Sequence, residues 1–261
     1  MSETTIAETS VALPPTQAEL PYDDNTTMES ERHKVQMELL IETLSFWLHQ
    51  REDAYVGGNM FVYYSLEQVK NRDFKGPDFF AVLDVPKGER KSWVVWEEGK
   101  APDVVIELLS ASTASADKNE KKLIYQNQMR VPEYFWFDPF NPSELAGFSL
   151  QNRGYQPLME DFQGKLVSQT LGLALVRWQG IYKGINTTWL RWATLEGELL
   201  PSSEEIAEKE KLRAEQEKLR ADNAESRLKQ VATNLLQQGM TVEQVVGLTG
   251  LSEAEIRGIA N

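Results

Sequence analysis

Residues 102–138, PDVVIELLSASTASADKNEKKLIYQNQMRVPEYFWFD, leave little choice of fold. Two short, strongly apolar runs, VVIELL and EYFWFD, bracket a stretch rich in helix formers. A strand, a crossover helix and a second strand in that order imply a parallel pair with a right-handed connection. One acid, Glu107, stands in the middle of the first apolar run. An ionised side chain in a buried strand is costly unless a partner or a metal compensates it, so Glu107 demands an explanation.

The helix between the strands narrows that explanation. SASTASA supplies hydroxyls and small residues for a turn, and the pair Asp117-x-x-Glu120 is expected to open the helix as a capping box. Lys121, Ile124, Tyr125 and Gln128 then share one face, whereas Lys122 points about 100° away. Arg130-Val131-Pro132 ends the helix.

Around this unit the chain reads as one folded domain with extensions. Residues 1–27 lack periodicity and are expected to be a disordered leader. Val35, Leu39, Leu40, Leu44, Trp47 and Leu48 recur at helical spacing, so 29–50 is an amphipathic helix. On it Glu38 and Glu42 lie one turn apart. Both read first as a solvated acidic face, with Glu38 kept as a secondary site candidate, and His33 reads as a surface or capping residue. Gly57-Gly58 falls among β-rich residues and marks a bend or bulge. Gly76-Pro77-Asp78 introduces the strand DFFAVLDV, and KSWVVW offers an extra strand. LAGFSL, YQPL, GLALVRW and TTWLRWATL would complete the sheet or form a small β-wing. The fold class is therefore α/β (α+β), a mixed central sheet flanked by helices over 28–200, with a C-terminal helical extension.

That extension has two parts. Residues 201–230 form a charged helix whose Leu212 and Leu219 repeat at seven, while Ala207, Ala214, Ala221 and Leu228 repeat on another side. It reads as an exposed helix, with a coiled-coil homodimer as the extended reading. Residues 231–261 alternate helix and glycine, with Thr241 and Ser252 at cap positions. The spacing resembles a helix-turn-helix, but SEAEIRGI offers one base against two acids, which favours an interaction element over a DNA reader.

Composition removes several chemistries. There is no cysteine, which excludes disulfides and thiolate sites, and two histidines leave little room for zinc or Ser-His-Asp catalysis. No run approaches the roughly 18 apolar residues of a membrane span, so a cytoplasmic protein with no membrane partner is expected. The net charge of −13 is uneven: residues 33–200 carry 22 acids against 18 bases, a balance of −4.

Which carboxylates could share a cation? Asp103 and Glu107 face the same side of one strand, but four strand residues span about 13 Å, whereas Mg²⁺ needs its ligand oxygens about 2.1 Å away. Asp103 thus stays a secondary candidate. Asp78, on a separate strand, can be brought opposite Glu107 by sheet pairing, and Lys121 would enter from the crossover helix over the same strand end. Tyr125, one turn on, could orient a phosphate, with packing its simpler role.

Pro77-Asp78, PDVVIELLSAST, then Asp117, Lys121 and Tyr125, and VPEYFWFDP together resemble the Uma family of endonucleases, within the restriction-endonuclease-like PD-(D/E)XK superfamily. The likeness runs from about Glu31 to Leu200 and is most specific over 102–139. It implies a phosphodiesterase using Mg²⁺ (or Mn²⁺) in which Asp78 and Glu107 bind metal, Lys121 replaces the superfamily's strand lysine, and the partner is nucleic acid, DNA first. Leu109 stands where that lysine is common, and Ala111 where proline is expected. The competing expectation is a catalytically inactive nuclease fold that acts as an interaction module through its C-terminal helices.

Overall fold

The computed structural model describes residues 13–22, 28–66 and 74–260. The chain divides into two compact units, residues 1–202 and 203–261.

The first unit is built on a six-stranded mixed sheet. Its strands are β1 (Ala54–Gly57), β3 (Phe79–Leu83), β5 (Val104–Leu108), β6 (Glu133–Phe137), β7 (Leu145–Gln151) and β8 (Gly154–Leu158), and they lie in that order across the sheet. Only β5 and β6 run parallel, as their crossover connection requires. Helix α1 (Glu31–Trp47) covers one face, where Leu40 and Leu44 meet Phe79, Ala81, Val104, Ile106, Leu108, Phe135 and Phe137. The crossover helix covers the other, where Tyr125 and Met129 meet Phe80, Val82, Val105 and Tyr134. Residues 79 to 82 and 104 to 106 thus alternate between two buried faces, which explains why these strands are apolar throughout.

The expected β-wing resolves into two destinations. The runs LAGFSL and YQPL extend the central sheet as β7 and β8, whereas β9 (Leu166–Ser168), β10 (Leu173–Tyr182) and β11 (Ile185–Ala193) form a separate antiparallel sheet. Its Trp189 and Tyr182 pack with Val35 and Leu39 on α1. The extra strand from KSWVVW is only β4 (Trp93–Val94), paired in parallel with β2 (Val62–Tyr63) and followed by the single turn α2 (Val95–Glu98).

Part of the expected leader, 1–12 and 23–27, lies outside the described residues. Residues 13–22 do not behave as an unattached tail. Leu20 is buried among Phe61, Tyr63 and Val94, Trp96 Nε1 donates to the Pro15 carbonyl (2.7 Å), and Tyr63 O–H donates to that of Pro21 (2.7 Å). Aromatic side chains with a polar edge can bury apolar neighbours and still satisfy a backbone acceptor, which anchors a segment that has no periodicity of its own.

The second unit contains α4 (Ser203–Gln237), α5 (Val242–Thr249) and α6 (Glu253–Ala260). The expected boundary at 230/231 falls inside α4, because the last turns of that helix supply core: Ala232, Leu235 and Leu236 pack against Val245, Leu251 and Ile256. Thr241 and Gln244 form a capping box at the start of α5, and Gly250 ends it in a left-handed conformation. Leu212 and Leu219 stay exposed. Among the described residues no helix is long and apolar enough to cross a membrane.

Candidate functional site

The antiparallel register of β3 and β5 decides the geometry. Phe79 pairs with Ile106 and Phe80 with Val105, so one further step places Asp78 opposite Glu107. Asp78 is fixed there by its own strand neighbour: the Leu108 N–H donates to Asp78 Oδ2 (2.7 Å). Glu107 has no solvent exposure, while Asp78 keeps part of its surface open at the strand end. The approach to the pair is therefore from the Asp78 side.

Gly58 bears on this pair for a steric reason. A Cβ on Gly58 would sit 2.1 Å from the Asp78 carbonyl oxygen and 2.9 Å from Ile41 Cδ1. The expected bend at Gly57-Gly58 is a close approach of two backbones beside the candidate acid.

The crossover helix, α3, runs through Ala114–Ala116, Asp117–Lys121, Lys122–Ile124 and Tyr125–Met129. It begins three residues before the expected capping box, after a turn in which Ser110 and Thr113 bond each other. Two of its segments, Asp117–Lys121 and Tyr125–Met129, are π-helical. In an α-helix, residues four apart are offset by about 40° per step. The wider π turns offset that drift, so Asp117, Lys121 and Tyr125 line up along one edge. Tyr125 O–H donates to Glu107 Oε1 (2.6 Å), and Lys121 Nζ donates to Glu107 Oε2 (3.1 Å) while lying 2.7 Å from Asp117 Oδ1. Tyr125 therefore does more than pack. Lys122 turns away, as its helix face predicts, and sits 3.5 Å from the centre of the Phe148 ring.

The electrostatics follow from three carboxylates around one ammonium. Burial raises the Asp78 carboxyl well above its usual range and the facing Glu107 raises it further, against the Leu108 N–H and Lys121. Glu107 is raised by burial too, with Lys121 and the Tyr125 hydroxyl pulling the other way. Burial alone would lower Lys121, but Glu107 and Asp117 hold it above the ordinary lysine range. The protein surroundings thus disfavour full ionisation of the pair, a penalty that a bound cation would relieve.

Not all candidates join this cluster. Asp103 lies at the opposite end of β5, where Lys100 Nζ (2.8 Å) and the Leu83 N–H (2.8 Å) hold Oδ2, as the strand-length argument requires. Glu38 faces the β10–β11 wing, bound to Lys183 Nζ at 2.7 Å, and Glu42 accepts from Tyr182 O–H at 3.0 Å, because their side of α1 packs on that sheet. His33 is buried, not on the surface. Its ring contacts Ser30 Oγ (2.8 Å) and the Leu109 carbonyl (3.0 Å), which joins the start of α1 to the end of β5. Asp117, expected as a cap, is instead a buried member of the site; its i, i+4 spacing to Lys121 is the signal that points there.

With the geometry in place, comparison with known proteins adds a family. The pattern of the Uma2 family, described as "Putative restriction endonuclease", matches residues 8–179. The chain belongs to the Uma2 family. The matched span contains Asp78, Glu107, Asp117, Lys121 and Tyr125 and ends before the second unit. Among solved structures, a protein from Anabaena variabilis described as "a putative nuclease belonging to DUF820" is similar at 14% identity. The likeness covers 60% of this chain and 91% of that one, with a TM-score of 0.42. No curated protein matches.

Does this Uma2 site fit a divalent cation? Among the described residues no group of three or more His, Asp or Glu side chains forms a ready-made cage. Mg²⁺, however, is commonly held by one or two carboxylates, with waters and substrate phosphate completing its shell. Two desolvated acids facing each other across neighbouring strands, one of them open to the strand end, supply that donor chemistry. The residues fit.

Proposed function

We propose that this protein is a Mg²⁺-dependent endonuclease that hydrolyses phosphodiester bonds in DNA. The observation that carries the reading is the facing Asp78–Glu107 pair, with Glu107 buried and Lys121 beside it, inside the span matched by a family described in terms of restriction endonucleases. Asp78 and Glu107 would hold the cation. When bound, it supplies polarisation of the scissile phosphate and a more acidic water.

The chain's own groups account for the rest. The Leu108 N–H fixes Asp78, and the Tyr125 hydroxyl fixes one oxygen of Glu107, so neither carboxylate must reorganise when substrate arrives. In the reaction a water adds to phosphorus and one ester P–O bond breaks, leaving a phosphate monoester and a hydroxyl. The Lys121 ammonium would donate to the phosphate oxygens as their charge builds up. Lys75 and Lys118, paired with Glu120 and Glu144, and Lys122, over the Phe148 ring, lie on or beside α3, where they would exchange these partners for a phosphate backbone.

Supercoiled plasmid incubated with the protein and Mg²⁺ tests this. The wild type is expected to nick it, and Glu107→Gln and Lys121→Ala are expected to leave it intact. Equal nicking by all three would remove the assignment.

A further inference from the structure

We propose that Asp117 is a positioning residue that retains Lys121 at the site when a divalent cation takes up the Asp78–Glu107 pair; the inference rests on the endonuclease reading above. Lys121 Nζ is shared between Glu107 Oε2 at 3.1 Å and Asp117 Oδ1 at 2.7 Å. The other oxygen of Glu107 is engaged by Tyr125, so the oxygen that a cation would claim is the one Lys121 now contacts. Cation and ammonium compete for it. Without a second anchor, an ammonium beside a divalent ion would be driven out by repulsion between like charges.

Asp117 is that anchor. Its side chain is buried, its N–H donates to the Thr113 carbonyl (2.9 Å), and its own carbonyl accepts from Tyr134 O–H (2.9 Å). The carboxylate is therefore held on a fixed backbone. Charge gives the same answer. Asp78, Glu107 and Asp117 together balance one divalent cation plus Lys121, whereas two acids alone would leave the loaded site positive. The π-helical turn that aligns Asp117 with Lys121 gives the anchor its direction. Lys121 is thus expected to move from bridging two acids to resting on Asp117 alone, where it stays within reach of substrate.

Calorimetric titration of the full chain with Mn²⁺, in a double-mutant cycle, tests the hand-over. With Lys121 present, Asp117→Asn should weaken Mn²⁺ binding by more than about tenfold, because the lysine then has only Glu107 to hold. In a Lys121→Ala background the same change should cost less than about threefold. Asp117→Glu should restore affinity and plasmid nicking in part, and thermal melts confirm that each variant is folded. Equal losses in both backgrounds would show that Asp117 ligates the ion or acts only through its charge, and unchanged affinity in Asp117→Asn would show that it does nothing; either result overturns the proposal. A wild type that takes up no metal and nicks no DNA removes the endonuclease reading and the hand-over with it. Metal uptake and nicking by the wild type, without the coupling, leaves that reading standing and removes only this inference.

Discussion

The two ends of the β5–β6 pair carry acids of the same kind in opposite circumstances. At the end where the strands begin, Glu133 accepts from the Gln169 N–H (2.8 Å), the Thr170 N–H (3.2 Å) and the Ser168 hydroxyl, and Asp103 is met by Lys100 and the Leu83 N–H. These donors are mostly backbone groups that cannot leave. At the end where the strands finish, Asp78 and Glu107 face each other, and one lysine, Lys121, bridges Glu107 and Asp117. The first arrangement closes a loop onto the sheet; the second leaves two facing acids whose ionisation burial disfavours. Burial of an acid is therefore no guide to function until its partners are known.

The two ends should respond differently to the same kind of substitution. The largest effect is expected on activity: Glu107→Gln should reduce plasmid nicking at least about a hundredfold, while Glu133→Gln should leave the rate per folded molecule nearly unchanged. The order reverses for stability. Glu133→Ala strands a buried hydroxyl and two N–H groups and should cost about 3 kcal/mol in urea unfolding, whereas Glu107→Gln, which removes an unwelcome buried charge and leaves Lys121 on Asp117, should stay within about 1 kcal/mol.

The pH dependence separates the ends differently. Asp78, Glu107 and Glu133 are all raised in the folded state, mainly by burial, so between the ordinary carboxylate range and their raised values the folded form binds more protons than the unfolded chain. Stability of the metal-free protein should then fall as pH rises through that window. Lys121, held above its ordinary value, contributes no change until the pH exceeds the lysine range. Melting curves from mild acid to neutrality should show the fall, and saturating Mg²⁺ should abolish the part due to Asp78 and Glu107 but not the part due to Glu133. The smallest effect is expected for Asp103→Asn, about 1 kcal/mol from a partly exposed ion pair, with nicking unchanged.

Much of the candidate site's layout is legible in the sequence because it follows local periods. Strand length separates Asp103 from Glu107, and helix spacing chooses Lys121 over Lys122; both inferences use only rise and turn. What escapes depends on partners distant in sequence. His33 is buried because Leu109 and Ser30 satisfy its ring, and Glu38 is drawn from the site by Lys183, 145 residues away. Residues 13–22 hold through aromatic groups that no periodic pattern links to them. Asp117 escapes for a different reason: a polar residue near a helix start is usually a cap, and only the earlier start of α3 turns it inward.

Gly58 extends the reach of the site to a residue with no side chain. Since a methyl group there would collide with the Asp78 carbonyl, the placement of a candidate ligand depends on an absence just past the end of β1. Gly58→Ala is in that sense a way to silence the protein mechanically, with every acid, amine and hydroxyl of the site still in the chain.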